Sequence, residues 1–157
     1  MSNITNIIAA GLGGQGVLKI TDILADVIFH AGLDVKKSEV HGMSQRGGSV
    51  SSEVRFGEKV FSPMVPAGEG DILVVLDISQ LDVARPALKE NGILITPEDI
   101  PVEKLSNPKA LNVMLLGNLS AKLPQFPEAL FLDALKRAFP EKLHEANEAM
   151  FKIGRNC

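Results

Sequence analysis

The first clear pattern along the chain is a short apolar run, Asn6 to Ala10, that ends in the turn GLGGQG and gives way from Val17 to a helical period. Val17, Ile20, Leu24, Val27 and Ala31 recur at alternating spacings of three and four, while Lys19, Asp22, Asp26 and His30 fall opposite them. Side chains three and four apart share one face of a helix, so this reads as strand, turn and amphipathic helix. Gly32 is placed to cap the helix, because glycine enters the left-handed region without steric cost.

Beyond it, Leu33 to Val40 is half apolar and predicts a second strand. Ser49 to Phe56 alternates, with Val50, Val54 and Phe56 on one side and Ser49, Ser51, Glu53 and Arg55 on the other, a period of two. Gly57 to Lys59 predicts a tight turn into a returning strand, Val60 to Val65, with Pro63 at an edge or bend. Asp71 to Asp77 is nearly unbroken in apolar residues, as in a strand covered on both faces. A helix over 79–89, bent or shortened by Pro86, then leads through Gly92 to a strand at Ile93 to Thr96. Asn112 to Leu123 predicts a buried helix capped by Asn112, and two helices begin near Pro127 and Pro140, the second with Leu143, Ala146, Met150 and Ile153 on one stripe. The fold class is therefore α/β, one domain over 1–157, three layers α/β/α, with a mostly parallel sheet and an antiparallel hairpin inserted after strand 2.

Composition removes several functions. A net charge of −3, no Trp, no Tyr and seven Phe offer neither the basic surface nor the stacking rings of a nucleic-acid binder. Cys157 is the one cysteine, so the chain forms no internal disulfide and holds no thiolate zinc or iron–sulfur site of its own. The amino-terminal stretch lacks a signal-peptide pattern, and no apolar run reaches the ~18 residues of a membrane span. The cytoplasm is the expected location, with no membrane partner.

Two stretches carry candidate chemistry. Gly11, Gly13 and Gly16 satisfy G-x-G-x-x-G between a strand and a helix, where amides and the helix dipole can hold a phosphate. Glu39, near the end of the next strand, sits where an acidic residue binds a ribose hydroxyl, so a Rossmann-like dinucleotide module or dehydrogenase is one alternative. Gly14 and Gln15 inside the turn, and a hairpin after Glu39 where a crossover helix is needed, count against it. The second stretch, EVHGMSQRGGSV, places Glu39, His41, Ser44, Gln45 and Arg46 close together. Glu39 or His41 as base and Ser44 as nucleophile is one reading; a polar loop hinged on Gly42, Gly47 and Gly48 is the other. GEGD at Gly68 lacks the G-D-G order of a thiamine diphosphate fingerprint and reads as a loop.

Taken in order, GLGGQGV (Gly11 to Val17), EVHGMSQRGGSV (Glu39 to Val50), VRFG (Val54 to Gly57) and SPMVPAGEGD (Ser62 to Asp71) resemble the gamma subunit or domain of 2-oxoacid:ferredoxin oxidoreductases. The HGMSQRGGSV version is most similar to the beta subunit of the indolepyruvate enzymes. The segment between ILIT and NVMLLG is shorter here than in many such subunits, which leaves the 2-oxoacid open.

The resemblance implies oxidative decarboxylation of a 2-oxoacid to an acyl-coenzyme A, with electrons passed to ferredoxin through the complex. It implies that thiamine diphosphate and the iron–sulfur clusters sit on partner subunits and that this chain is inactive alone. By position, Gly11, Gly13, Gly14, Gln15 and Gly16, together with Glu39, His41, Gly42, Met43, Ser44, Gln45, Arg46, Gly47 and Gly48, would face the partner and shape the active site. Whether coenzyme A is also contacted stays open. Arg46 suits anion recognition, since a guanidinium holds a carboxylate or phosphate with two parallel bonds; an ion pair with Glu39 or Glu53 is the alternative.

Overall fold

The computed structural model describes residues 3–41, the last of these by its backbone only, and 48–157. Five strands, β1 (Thr5–Leu12), β2 (Asp34–His41), β3 (Ser49–Gly57), β4 (Gly70–Val75) and β5 (Leu88–Ile95), form one sheet in the order β2-β3-β1-β4-β5. β1 pairs parallel with β4, and β4 with β5, whereas β3 runs antiparallel to both β1 and β2. Four strands thus point one way, but the pairings divide evenly between parallel and antiparallel, and "mostly parallel" holds only for direction. The antiparallel element after strand 2 is the single strand β3, which is threaded between β1 and β2.

The expected alternation explains the two faces. Ile7, Ala9, Ile72 and Val74 point to a layer built from α1 (Val17–His30), α3 (Leu111–Ala121), α4 (Glu128–Ala138) and α5 (His144–Arg155). Ile8, Ala10, Leu73 and Val75 point to the other face, where, among the described residues, Val65, Leu81, Ala84 and Ala87 pack against them beside Leu88 and Leu94 of β5. Strands whose odd and even residues are both buried read as unbroken apolar runs, which is why β1 and β4 were legible. The third layer is thin, consisting of the single turn α2 (Leu81–Ala84) and the 3-10 turns beside it.

Several expectations change. The helix over 79–89 is a 3-10 turn, α2 and a second 3-10 turn, and the chain is already extended at Leu88. Arg85 still has helical angles, but Pro86 brings no N–H to donate to a helical turn and its ring clashes with the carbonyl four residues back, so the helix does not propagate. Val60 to Val65 forms no strand. Asp34 accepts from the Val60 amide, Glu53 accepts from the Val65 amide, and Arg55 donates to the carbonyls of Ser62 and Met64, so side chains satisfy backbone groups a ladder would have used. Ala31 is the exposed C-cap of α1, not part of its stripe; Gly32 follows at φ 85°, and the Leu33 amide reaches back to the Ile28 carbonyl.

α3 is buried from Asn112 to Ser120, as its lack of a polar face suggested. Its cap is different from the one expected. Asn107 accepts from the Lys109 amide and opens a 3-10 turn that runs into α3, while Asn112 lies inside the helix. α3 and α5 cross backbone to backbone: Gly117 faces the Phe151 carbonyl and Gly154 faces the Met114 carbonyl, with no room at either for a Cβ.

Candidate functional site

The glycine turn ends β1 and starts α1. Gly14 (φ 89°) and Gly16 (φ 86°) adopt left-handed conformations, and the Gln15 amide closes onto the Leu12 carbonyl at 3.2 Å. Gly16 is the N-cap of α1 and so offers no side-chain oxygen to the helix. Its Cα faces the buried Asn112, whose Nδ2 lies 3.5 Å from the Gly16 carbonyl, so the turn rests on the start of α3.

Gln15 folds back across the end of the sheet. Its Oε1 accepts from the Leu12 amide at 2.7 Å, and its Nε2 donates to Asp77 Oδ2 at 2.8 Å. Asp77, two residues beyond β4, uses Oδ1 to accept from the Ser79 hydroxyl at 2.7 Å and the Ser79 amide at 3.0 Å, capping the 3-10 turn Ile78–Gln80. Gln80 Nε2 lies 3.5 Å from Ser79 Oγ, and Gln80 Oε1 accepts from the Ser49 hydroxyl at 2.6 Å. The Gly13 amide donates to the Gly48 carbonyl at 2.9 Å, which closes the loop of contacts. Three segments, 12–16, 48–49 and 77–80, are thereby laced at the carboxyl ends of β1 and β4, where ligands bind in open α/β sheets.

The Ser79 hydroxyl, then the Ser79 amide, then the Gln15 amide hold the Asp77 carboxyl below the usual carboxylate range. A depressed folded-state pKa contributes stability that is complete above the unfolded value and lost as pH falls through the folded one. The stability difference between the native chain and Asp77→Asn is therefore expected to be constant from neutral pH to about 5 and to shrink below about 4. Urea midpoints measured against pH check this; a difference that grows on acidification contradicts it.

Three depressions surround the laced segments. An apolar groove of about 250 Å³ runs under α2, lined by Ile8, Ala10, Val40, Val50, Val83 and Ala84 with Ser49 and Gln80 at its rim. A cleft of about 290 Å³ is lined by Gly14, Gln15 and Gly16 on one side and by Pro108, Lys109, Leu111 and Asn112 on the other. A third, open depression lies between Asp77 and Ile78 on one side and Pro97, Glu98 and Val102 on the other. Val83 is 72% exposed, Val40 58%, Ile78 51% and Val102 44%. Val40 and Val83 line the groove under α2, and Ile78 and Val102 line the open depression.

Of the expected site residues, the structure brings Gly11, Gly13, Gly14, Gln15, Gly16 and Gly48 to this edge. Gly42, Met43, Ser44, Gln45, Arg46 and Gly47 lie outside the described residues, as does the side chain of His41. Glu39 sits on β2 and takes an ion pair from Lys37 at 2.9 Å. Glu39 pairs with Ser52 and Ser52 with Ala9, so two strand spacings, roughly 10 Å, separate Glu39 from β1, and it lies level with Ala9, short of the glycine turn. That strand order, and Gln15 spanning the β1–β4 crevice, remove the basis of the dinucleotide reading. Asp77, Ser79 and Gln80 were not named as site residues from sequence, Ser49 was named only as a strand position, and Asn112 only as a helix cap. The one available signal was an aspartate directly after an apolar run and two residues before a serine, a local capping pattern.

Among the described residues no three His, Cys, Asp or Glu side chains gather, and His30 and His144 bond to Asp26 and to backbone carbonyls. An iron–sulfur cluster does not fit: the single thiol, Cys157, donates to the Ile153 carbonyl. A thiamine diphosphate site at 68–71 does not fit either, since Gly68 sits in a tight turn and the Glu69 carbonyl is held by Asn6. No described helix is long and apolar enough to cross a membrane.

A sequence profile described as pyruvate ferredoxin/flavodoxin oxidoreductase matches residues 6–157. The chain is 32% identical to indolepyruvate oxidoreductase subunit IorB of Thermococcus kodakarensis, over 95% of this chain and 93% of the relative. That alignment spans 191 positions, longer than the chain, so the relative carries residues without counterparts here. Among solved structures, a keto/oxoacid ferredoxin oxidoreductase gamma subunit from Geobacter sulfurreducens superposes with a TM-score of 0.82 at 23% identity, covering 97% of this chain and 96% of that one. The 2-oxoglutarate:ferredoxin oxidoreductase of Magnetococcus marinus, determined with 2-oxoglutarate, coenzyme A and succinyl-coenzyme A bound, superposes at 0.84 and 19% identity. It contains the fold as a part, with 99% of this chain covering 31% of that one.

Proposed function

The chain belongs to the pyruvate ferredoxin/flavodoxin oxidoreductase family and is a subunit of a 2-oxoacid:ferredoxin oxidoreductase, and we propose that its part is to shape the active site while partner subunits carry thiamine diphosphate and iron–sulfur clusters. The carrying observation is the laced edge itself. It gathers the glycine turn, the start of β3 and the β4–α2 junction beside exposed apolar side chains. When bound by a partner, thiamine diphosphate supplies attack on the 2-oxo carbon and loss of carbon dioxide, and the clusters carry the electrons to ferredoxin. The described residues of this chain supply surface and hydrogen bonds. The exposed Val40, Ile78, Val83 and Val102 are where a partner would seat, and the cleft bearing Lys109 beside the α1 amino terminus is suited to an anionic group of coenzyme A. An indolepyruvate-type substrate is favoured by the relative covered nearly end to end.

Reconstitution tests this reading. The isolated, cluster-free chain should not reduce viologen with a 2-oxoacid, whereas the chain joined to a thiamine-bearing partner should. In that complex Arg46→Ala is expected to lower turnover by roughly tenfold or more and to affect it more than it affects the urea midpoint of the free chain, because a guanidinium suited to holding an anion with two charged hydrogen bonds is removed. Full activity with normal assembly removes Arg46 from the site.

A further inference from the structure

Position 15 requires a side chain that accepts and donates at once. Gln15 Oε1 takes the Leu12 amide and Nε2 gives to Asp77, 62 residues away in sequence. A carboxylate there would accept twice and meet Asp77 as a like charge; an ammonium would leave the Leu12 amide without its partner; an apolar side chain would serve neither. From Asp77 the contacts continue through Ser79 and Gln80 to Ser49, and return through Gly48 to Gly13. The circuit touches all three depressions, with Gln80 and Ser49 on the apolar groove, Gln15 on the cleft and Asp77 on the open depression.

We infer that Gln15 and Asp77 are a positioning pair, which locks the glycine turn to the first residues of β3 so that the edge facing the partner subunit is held in one geometry during turnover. This rests on the subunit function proposed above. The pair acts through hydrogen bonds of defined polarity, so reversing both polarities should preserve it and reversing one should break it. In Gln15→Glu/Asp77→Asn the introduced amide can donate to the introduced carboxylate, which still accepts from Leu12, while the amide oxygen keeps the Ser79 cap.

The test compares the native chain, Gln15→Glu and the double variant, each as full chain assembled with a thiamine-diphosphate-bearing partner. Viologen reduction by a 2-oxoacid is followed from pH 6 to 8. Gln15→Glu is expected to lose about tenfold in kcat at pH 8 and to recover part of it towards pH 6, as the paired carboxylates take up one shared proton. Glu98, which lines the same depression as Asp77, reinforces that uptake, and Lys109 across the cleft from Gln15 opposes it. The double variant should return to within about threefold of native kcat with no such pH dependence. Native turnover together with an unaffected Gln15→Glu, or a double variant no better than the single, overturns the pair alone. Absence of turnover by the native complex overturns the subunit reading and this inference with it. Should Gln15→Glu fail to fold, Gln15→Met takes its place: it should show the same loss at every pH, and native-level kcat in it overturns the pair.

Discussion

Gly117→Ala is expected to destabilise the chain by about 3 kcal/mol, although the same change in an exposed helix stabilises by about 1 kcal/mol. The sign is decided by the crossing of α3 and α5. A Cβ at Gly117 falls on the Phe151 carbonyl and that of Gly154 on the Met114 carbonyl, both rigid backbone atoms inside helices. No rotamer relieves the contact, so the helices must part, and Asn118, which donates to the Gly154 carbonyl at 3.3 Å, loses its partner as they do. Gly154→Ala should cost a similar amount, and the two together less than their sum, because helices already separated admit the second methyl group. A fall in Tm on the order of 10 °C is the corresponding thermal change for a chain of this length. An unchanged or raised urea midpoint for Gly117→Ala would show that the crossing is looser than described.

The second large effect is at the glycine turn, where Gly16→Ala is expected to cost about 3 kcal/mol from two sources. The left-handed φ of 86° penalises any L side chain by roughly 1–2 kcal/mol. The remainder comes from Asn112, only 6% exposed, whose side chain occupies the space the methyl group needs. A double-mutant cycle separates the two: in an Asn112→Ala background Gly16→Ala should retain only the backbone penalty. Equal costs in both backgrounds would assign the whole effect to φ. Since α1 starts at this residue and α3 rests on it, assembled activity should fall with Gly16→Ala in parallel with stability.

The legible parts of the fold are those in which a local pattern states a local fact. The period of three and four from Val17 gave α1 because a helix must bury one stripe, the apolar run of β1 gave a strand, and the unbroken run of β4 gave a strand covered on both faces. Where side chains satisfy the backbone, the pattern misled. Val60 to Val65 looks like a strand, yet its polar backbone atoms are met by Asp34, Glu53 and Arg55 from other elements. Leu88 to Asn91 looks helical or loop-like, yet it belongs to an edge strand, which tolerates polar residues and an ion pair such as Lys89 with Asp71.

The candidate site divides in the same way. Sequence alone determined that a glycine turn joins β1 to α1, that the chain has one thiol and so no cluster of its own, and that its motifs are those of an oxidoreductase subunit. A turn needing positive φ selects glycine at that residue and nowhere else, so it is written locally. Only the tertiary structure decided that β3 separates Glu39 from that turn, that Gln15 answers Asp77, and that Gly117 must admit the Phe151 carbonyl. Each of these depends on which surfaces meet once the sheet and helices have packed, and hydrophobic periodicity records that a face is buried without recording what it is buried against.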